Sequence, residues 1–283
     1  MSDRFMYVVL GTAAAIAVAA VLGMFAFLAY FALPLFTADG FARMIDWTWR
    51  PADGSFGILP MVVGSLGLSA LAMAVAFPVA VAVCAFAFGI GPRQPARIVM
   101  TIVNLMTGIP TIVYAFAAAI ILPPLLRAGF EGGTGFSLLG AALVLAVLVL
   151  PTIVLVIDSN WQGLMAATRH TTAALGMNPT QHVLGVMIPA SRAGLLAAFV
   201  LGFGRALGDT MVALMLSGNV PLVPESPIDS VRALTAHISL VMSLEVGGPG
   251  YQSAFAAGFI LLLTTSAISI AVRNMGRRGS SGA

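Results

Sequence analysis

The stretch that decides the fold is residues 136–157, which read FSLLGAALVLAVLVLPTIVLVI and carry no charged side chain. A helix of about 20 apolar residues is long enough to cross the hydrocarbon core of a bilayer. The whole chain shares this character, because 60% of its 283 residues are hydrophobic and 8% are charged, against about a quarter charged in soluble proteins. The sequence therefore predicts an all-α integral membrane protein.

Five further apolar runs predict five more membrane-spanning helices. Along the chain, the six predicted spans cover residues 5–33, 58–88, 98–122, 136–157, 194–217 and 251–272. The first run is too long for a secretory signal and has no small-residue cleavage site, so we expect it to remain as an anchor.

The arginines predict the orientation of these spans. Eight of them fall on one side and four on the other, and the positive-inside rule then places both termini in the cytoplasm. The eight are Arg4, Arg93, Arg97, Arg169, Arg192, Arg273, Arg277 and Arg278.

All thirteen basic residues are arginine. A phosphate-binding P-loop requires a lysine, so ATP hydrolysis has to occur on another subunit and the chain is not predicted to be an enzyme. The arginines form no stripe with interleaved aromatic residues, which argues against nucleic-acid binding. The histidines have no Cys, Asp or Glu at ligand spacing, so we predict neither a metal site nor a cofactor.

Arg205 and Asp209 interrupt the fifth predicted span, in GFGRALGDTM at residues 202–211. Residues four apart share a helix face, where these two could pair. An arginine at the bilayer centre costs about 2.5–3.5 kcal/mol on insertion scales, so it usually marks a cavity or pathway. A guanidinium also suits an oxyanion. The pattern favours a substrate pathway that includes the adjacent Thr210, although a salt bridge that only locks the helix would give the same pattern.

Polar residues and helix breakers also interrupt the third predicted span. Gly108 and Pro110 free backbone groups that a neighbour has to satisfy, as in the discontinuous helices of transport sites. The polar side chains beside them are Asn104, Thr107, Thr111 and Tyr114. These residues either line the pathway or accompany an ordinary proline kink.

Two connections are long enough to carry function. Residues 158–190, on the predicted cytoplasmic side, contain two helix-like pieces separated by the breakers Gly176, Asn178 and Pro179, which predicts a helix-turn-helix. Residues 218–250, on the other side, predict a helix too short to span that lies at the interface or re-enters.

The loop and the fifth span resemble known families. Residues 173–189 resemble the E-A-A-x(3)-G-x(9)-I-x-L-P loop of ABC importer permeases, with Gly176 and Pro189 in register. Residues 204–215, GRALGDTMVALM, are similar to the G-R-A-[IL]-G-E-T-M signature of the phosphate-specific (Pst) permeases. Residues 108–114, GIPTIVY, resemble their G-I-P-S-V-V-Y segment. The likeness covers about residues 57–275 and is closer to PstC than to PstA.

This resemblance implies the type I ABC importer permease fold in the inner (plasma) membrane and the import of inorganic phosphate. It implies an N-terminal anchor and short periplasmic loop at residues 1–56, a permease core at 57–275 and a basic cytoplasmic tail at 276–283. Besides membrane lipid, the implied partners are a second permease, two ATP-binding cassette subunits and a periplasmic phosphate-binding protein. The implied ATPase-docking residues are His170, Thr171, Thr172, Gly176, Ile188 and Pro189.

The chain departs from the family pattern at three places, one of which is a short first outer loop that leaves the choice between PstC and PstA open. His170, Thr171 and Thr172 stand where the family loop has Glu-Ala-Ala, and Asp209 stands where the family has a longer Glu. Three alternatives therefore stay open. The chain could be an ion-coupled secondary transporter with Asp209 as its proton or sodium site, a permease for another oxyanion, or a regulatory subunit that no longer transports.

Overall fold

The computed structural model describes residues 3–33, 45–130, 134–244 and 247–280, and this part of the chain is almost entirely helical. The strands Trp49–Arg50 (β1) and Ser55–Phe56 (β2) form one antiparallel hairpin. The helices are α1 (Asp3–Ala32), α2 (Leu59–Ala85), α3 (Arg93–Met106), α4 (Thr111–Gly129), α5 (Leu138–Ala174), α6 (Pro179–His182), α7 (Ile188–Ala190), α8 (Arg192–Gly208), α9 (Met211–Leu216), α10 (Leu234–Leu244) and α11 (Gly248–Ser280). Short π-helical turns follow α2 at Phe86–Ile90 and precede α7 at Val183–Met187.

The membrane-spanning helices confirm the predicted polytopic all-α class. Five helical segments in the described residues are long and apolar enough to cross a bilayer: Phe5–Ala32, Leu59–Ile90, Thr111–Gly129, Leu138–Ala174 and Gly250–Ile270. A sixth span is obtained when Pro179–Ala190 and Arg192–Gly208, which meet at a bend of 72°, are taken together. The predicted interfacial helix is also present as α10, which has 11 residues.

The third predicted span, residues 98–122, is wrong as a single helix. The chain leaves the helical conformation after Met106 and resumes it at Thr111, so α3 and α4 are separate. Pro110 explains the break, because a proline disfavours the helical conformation in the residue before it and cannot donate a backbone hydrogen bond. The spanning helix is α4 and begins only after the proline.

The fifth predicted span, residues 194–217, is also wrong as a continuous helix. Helix α8 ends at Gly208, Asp209 has an extended backbone (φ −73°, ψ 122°), and α9 starts at Met211. The Asp209 carboxylate accepts a hydrogen bond of 2.8 Å from the Val212 N–H. Short polar side chains that bind backbone N–H groups in this way favour the start of a helix over its interior. Arg205 and Asp209 therefore do not share one helix face.

Helices α2, α5 and α8 pack together at the centre of the molecule. Small side chains allow the close approach, since Ala72, Ala76 and Ala80 of α2 and Ala142 and Ala146 of α5 are buried. Helices in lipid associate by van der Waals contact and interhelical hydrogen bonds, because lipid tails are as apolar as the side chains. Small residues thus let α2 and α5 approach closely, and α8 packs against both of them.

Helix α1 lies at the edge of this bundle and contacts α11. The contact includes the ring of Phe255, whose centroid lies 5.9 Å from that of Phe27 and 4.9 Å from that of Phe31. Apart from this contact, nearly all described side chains of α1 are exposed. An apolar helix exposed in this way suits contact with lipid tails.

Candidate functional site

Arg205 lies in the last turn of α8, and its side chain is exposed on the surface of the subunit. Beside it, Gly204 and Gly208 have no atom within 4 Å of the place where a Cβ would stand. Gly202 differs, because an added Cβ would meet Cγ1 of Ile153 on α5 at 2.6 Å. Gly202 thus permits a close contact between two helices, whereas Gly204 and Gly208 leave an open surface around the guanidinium.

The predicted contact between Arg205 and Asp209 is not formed. Within the described residues no ion pair joins the two side chains, although their charges attract across the break. The Asp209 carboxylate caps α9, and the Asp209 carbonyl accepts a hydrogen bond of 3.0 Å from the Thr235 hydroxyl. Both polar groups of Asp209 are therefore used to hold the break, and the donors of Arg205 face the open surface.

The half-buried Thr210 completes the break between α8 and α9. Its carbonyl accepts a hydrogen bond of 2.8 Å from the Leu214 N–H, so the backbone becomes helical again immediately after Asp209. Non-helical backbone inside a membrane is tolerated only where it is buried in protein or lines a cavity. Discontinuous helices of this kind form substrate sites in transporters.

The second interruption, between α3 and α4, is held by local contacts. The Thr107 hydroxyl donates to the Asn104 carbonyl at 2.7 Å, and the Tyr114 hydroxyl donates to the Met106 carbonyl at 3.2 Å. Asn104 and Thr107 are exposed, whereas Thr111 and Tyr114 are half-buried. Because α4 packs against α9, Thr111 and Tyr114 belong to a helix that contacts the element following Asp209.

A second arginine, Arg232, was not predicted as a site residue. It is half-buried, and its Nε donates a hydrogen bond of 2.8 Å to the carbonyl of Asn219. Asn219 has a left-handed backbone (φ 56°), and its amide nitrogen donates to the Leu214 carbonyl at 2.6 Å. Burial lowers the pKa of Arg232. The sequence feature that could have indicated this contact is the pair Gly218-Asn219. Glycine and asparagine most readily take the left-handed backbone conformation, which predicts a tight turn there.

The histidines at 182 and 237 are packing residues. His182 is buried, with Nε2 2.7 Å from the Thr168 hydroxyl. His237 is fully buried, with its ring edge-on to Trp49 and Nε2 3.2 Å from the Ser253 hydroxyl. Burial, aided by the charge of Arg232, lowers the pKa of His237 to about 3, so this histidine is uncharged at neutral pH. Among the described residues no three His, Cys, Asp or Glu side chains could hold a metal ion.

The predicted helix-turn-helix of residues 158–190 is confirmed. The second half of α5 forms the first helix, and Gly176 (φ 72°) makes the turn. Asn178 and Gln181 then form a reciprocal capping box, with hydrogen bonds of 2.9 and 2.8 Å between each side chain and the other residue's backbone N–H. Trp161, which is fully buried, donates to the Ser191 hydroxyl at 2.9 Å and ties the two ends of the loop together.

The surface of this loop that faces away from the helix bundle is concave and carries two exposed leucines. Leu175 and Leu184 are 73% and 52% exposed, although leucine is usually buried. They line a cavity of about 700 Å³ together with Met177 and Gln181. His170 and Thr171 are also exposed, whereas Thr172 is buried. A rigid loop with exposed leucines has the properties of a protein-binding surface.

The chain is similar in sequence to known transport proteins, although no family model matches it. It is 30% identical to the probable ABC transporter permease protein YqgH of Bacillus subtilis over 271 residues, which cover 94% of this chain and 88% of that protein. The chain belongs to the ABC transporter permease family. Two phosphate transport system permeases, PstC of Mesorhizobium japonicum and PstC 1 of Mycobacterium tuberculosis, are each 28% identical to it. Each alignment covers 83% of this permease, with 78% and 76% of the respective relative.

Solved structures confirm the permease fold. An inward-facing structure of the MetNI methionine ABC transporter matches with a TM-score of 0.63 at 17% identity, covering 82% of this chain and 99% of that chain. A second crystal form of the same transporter matches with a TM-score of 0.55. The permease is therefore a multi-pass membrane protein. The resemblance to phosphate-specific permeases that the sequence indicated is confirmed by the PstC relatives.

Proposed function

We propose that this permease is the PstC-like subunit of an ATP-driven importer of inorganic phosphate. The observation that carries the proposal is Arg205, which lies exposed beside bare glycine backbone at an interrupted helix and has no direct acidic partner among the described residues. A guanidinium presents paired donors that fit an oxyanion in a bidentate way. Relatives named as phosphate transport permeases support the choice of oxyanion.

In this proposal Arg205 receives phosphate briefly during passage. Asp209 is close enough to act on Arg205 electrostatically without a direct contact, so it weakens anion capture and permits release. One arginine provides half of a path, and we therefore place the open face of α8 against a second permease subunit. Thr210, Thr111 and Tyr114 would line the path beside it, with Asn104 and Thr107 nearer its exposed edge.

The docking loop supports an external source of energy. We propose that two ATP-binding cassette subunits serve the two permeases, and that one of them binds residues 158–190 at the exposed Leu175 and Leu184. The docking positions are His170, Thr171, Thr172, Gly176, Ile188 and Pro189. A periplasmic phosphate-binding protein would deliver the anion at the opposite end. Residues 57–275 would form the core, with residues 1–56 as the anchor and residues 276–283 as a cytoplasmic tail.

The test is phosphate uptake into proteoliposomes that contain the permease with its partner subunits. We expect Arg205→Gln to lower uptake at least about tenfold, because a hydrogen bond to a charged group contributes about 1.5–3 kcal/mol. Arg50→Gln is the matched control, since Arg50 is an exposed arginine on the β1–β2 hairpin. Unchanged uptake by a correctly inserted Arg205→Gln variant would contradict the pathway role.

The same vesicles separate the alternatives. Uptake should require ATP in the vesicle lumen, because import moves the anion toward the side that carries the docking loop. Uptake that follows a proton or sodium gradient without ATP would instead indicate a secondary transporter. Competition with sulfate and arsenate shows which oxyanion the complete system accepts. Vesicles that hydrolyse ATP but move no oxyanion would indicate a subunit without a transport role.

A further inference from the structure

A second cavity, of about 690 Å³, lies on the inner side of the docking loop, distant in sequence from Arg205. Its walls come from the π-helical turn that follows α2, from α3, from the second half of α5 and from the loop. Three arginines line it: Arg93 and Arg97 of α3 and Arg169 of α5. The positive-inside rule explains why arginines lie at this end of the molecule. It does not explain why three of them converge on one cavity.

The positive charge of this cavity is not neutralised within the described residues. Asp158 is the one acidic residue of the lining, and its carboxylate already accepts a hydrogen bond of 2.8 Å from Gln162. No ion pair involving Arg93, Arg97 or Arg169 is formed in the described part of the chain. Three guanidinium groups against one carboxylate leave an excess of two positive charges in a concave site.

The N-terminus of α3 adds to the positive electrostatic potential of the cavity. The free N–H groups at a helix N-terminus carry a partial positive charge, so acidic residues are favoured there and basic residues are not. Helix α3 has no acidic residue in its first turn and no side-chain cap, and it begins with Arg93. Arg97 follows one turn later on the same face. A bound anion would offset the repulsion between these two arginines and the positive N-terminal end of α3.

The cavity is in direct contact with the docking loop. Met177, Pro179 and His182 of the loop form part of its wall. Gly89, in the π-helical turn that follows α2, approaches the loop so closely that an added Cβ would lie 2.8 Å from the Pro179 carbonyl oxygen. His182 is fixed by its contact of 2.7 Å with Thr168. A ligand in the cavity would therefore touch both α3 and the loop that we propose binds the ATPase.

We propose that this cavity binds a phosphate group between Arg93, Arg97 and Arg169, supplied either by free inorganic phosphate or by the headgroup of an anionic phospholipid. Arginine forks bind phosphate oxygens in a bidentate way, and three forks from two helices can surround a tetrahedral anion. The volume leaves space for the rest of a headgroup or for water. This site is separate from the proposed transport site at Arg205, which does not line the cavity.

The test uses the full-length permease in nanodiscs, with inorganic phosphate or phosphatidylglycerol as the probe. Calorimetry measures phosphate binding in nanodiscs of neutral lipid, and native mass spectrometry measures retained phosphatidylglycerol. We expect the Arg93→Gln/Arg97→Gln variant to weaken either phosphate binding or phosphatidylglycerol retention at least about tenfold. Weaker phosphate binding identifies the free anion as the ligand, and weaker lipid retention identifies the headgroup.

Three further variants show whether a change in binding comes from the cavity arginines. Arg205→Gln removes the proposed transport arginine. Phosphate binding that only this variant loses belongs to the transport path and not to the cavity, so failure of the two proposals can be told apart. Arg127→Gln is the control for loss of one charge elsewhere. Arg169→Gln replaces the double variant if the latter does not fold, and should weaken the same ligand. If neither ligand is affected by these cavity variants, the proposal is overturned.

Discussion

The break between α3 and α4 and the break between α8 and α9 both interrupt a predicted membrane span, but different forces hold them. The first contains Pro110 and is stabilised by residues at most eight positions apart, as in the contact of Tyr114 with Met106. The second contains no proline and is held partly by Thr235, which is 26 positions from Asp209. The break between α3 and α4 therefore follows from the local sequence, whereas the break between α8 and α9 depends on contacts made in the folded bundle.

The largest expected effect is at Asp209, where the second break is capped. Asp209→Ala leaves the N–H of the buried Val212 without its partner, so we expect a loss of about 1–3 kcal/mol in the free energy of unfolding. Asp209→Asn retains an acceptor oxygen and is the control. Denaturant titration of the purified permease measures both. Equal stability of the Ala variant and the wild type would show that the cap does not hold the break.

A smaller effect is expected for Thr235→Val, which removes the long-range hydrogen bond to the Asp209 carbonyl. Hydrogen bonds between membrane helices contribute about 0.6 kcal/mol on average and about 1.7 at most, so the loss should lie in that range. Thr235→Ser keeps the hydroxyl. A double-mutant cycle with Asp209→Ala should show coupling, because both contacts stabilise one break. Strictly additive effects would mean that the two contacts act separately.

The smallest effect is expected for Tyr114→Phe at the first break. The lost bond of 3.2 Å is neutral and half-buried, and Pro110 still prevents a continuous helix, so we expect a change below about 1 kcal/mol. Tyr30→Phe, on an exposed tyrosine of α1, is the matched control. A loss larger than that of Asp209→Ala would reverse the comparison and show that the first break also depends on tertiary contacts.

The long apolar helices were predictable because hydropathy over about 20 residues is a local property that lipid enforces. The turn at Gly176 was predictable for a related reason, since glycine takes a left-handed backbone at little cost. The break at Asp209 was not. Helical spacing of Arg205 and Asp209 predicts a salt bridge as long as the helix continues, and the sequence contains no proline there to indicate that it stops.

The site was predicted in part. Arg205 could be named as a candidate because a charge inside an apolar run is costly, and its transport role stays a prediction. Arg232 was missed because it lies in a polar connection, where an arginine is ordinary, and only its burial and its bond to Asn219 distinguish it. In the sequence, each arginine of the second cavity served only to predict the orientation of the membrane spans. Their convergence depends on the packing of α3 against α5.

The sequence by itself determined that the chain crosses a membrane, carries a helix-turn-helix loop and places an arginine in an apolar segment, because each of these depends on residue chemistry within one stretch. Tertiary structure alone decided which groups meet. It separated Arg205 from Asp209, gave the Asp209 carboxylate to Val212, and gathered three arginines around one cavity. The physical reason is that satisfaction of a buried polar group depends on whichever neighbour packing brings within hydrogen-bond distance.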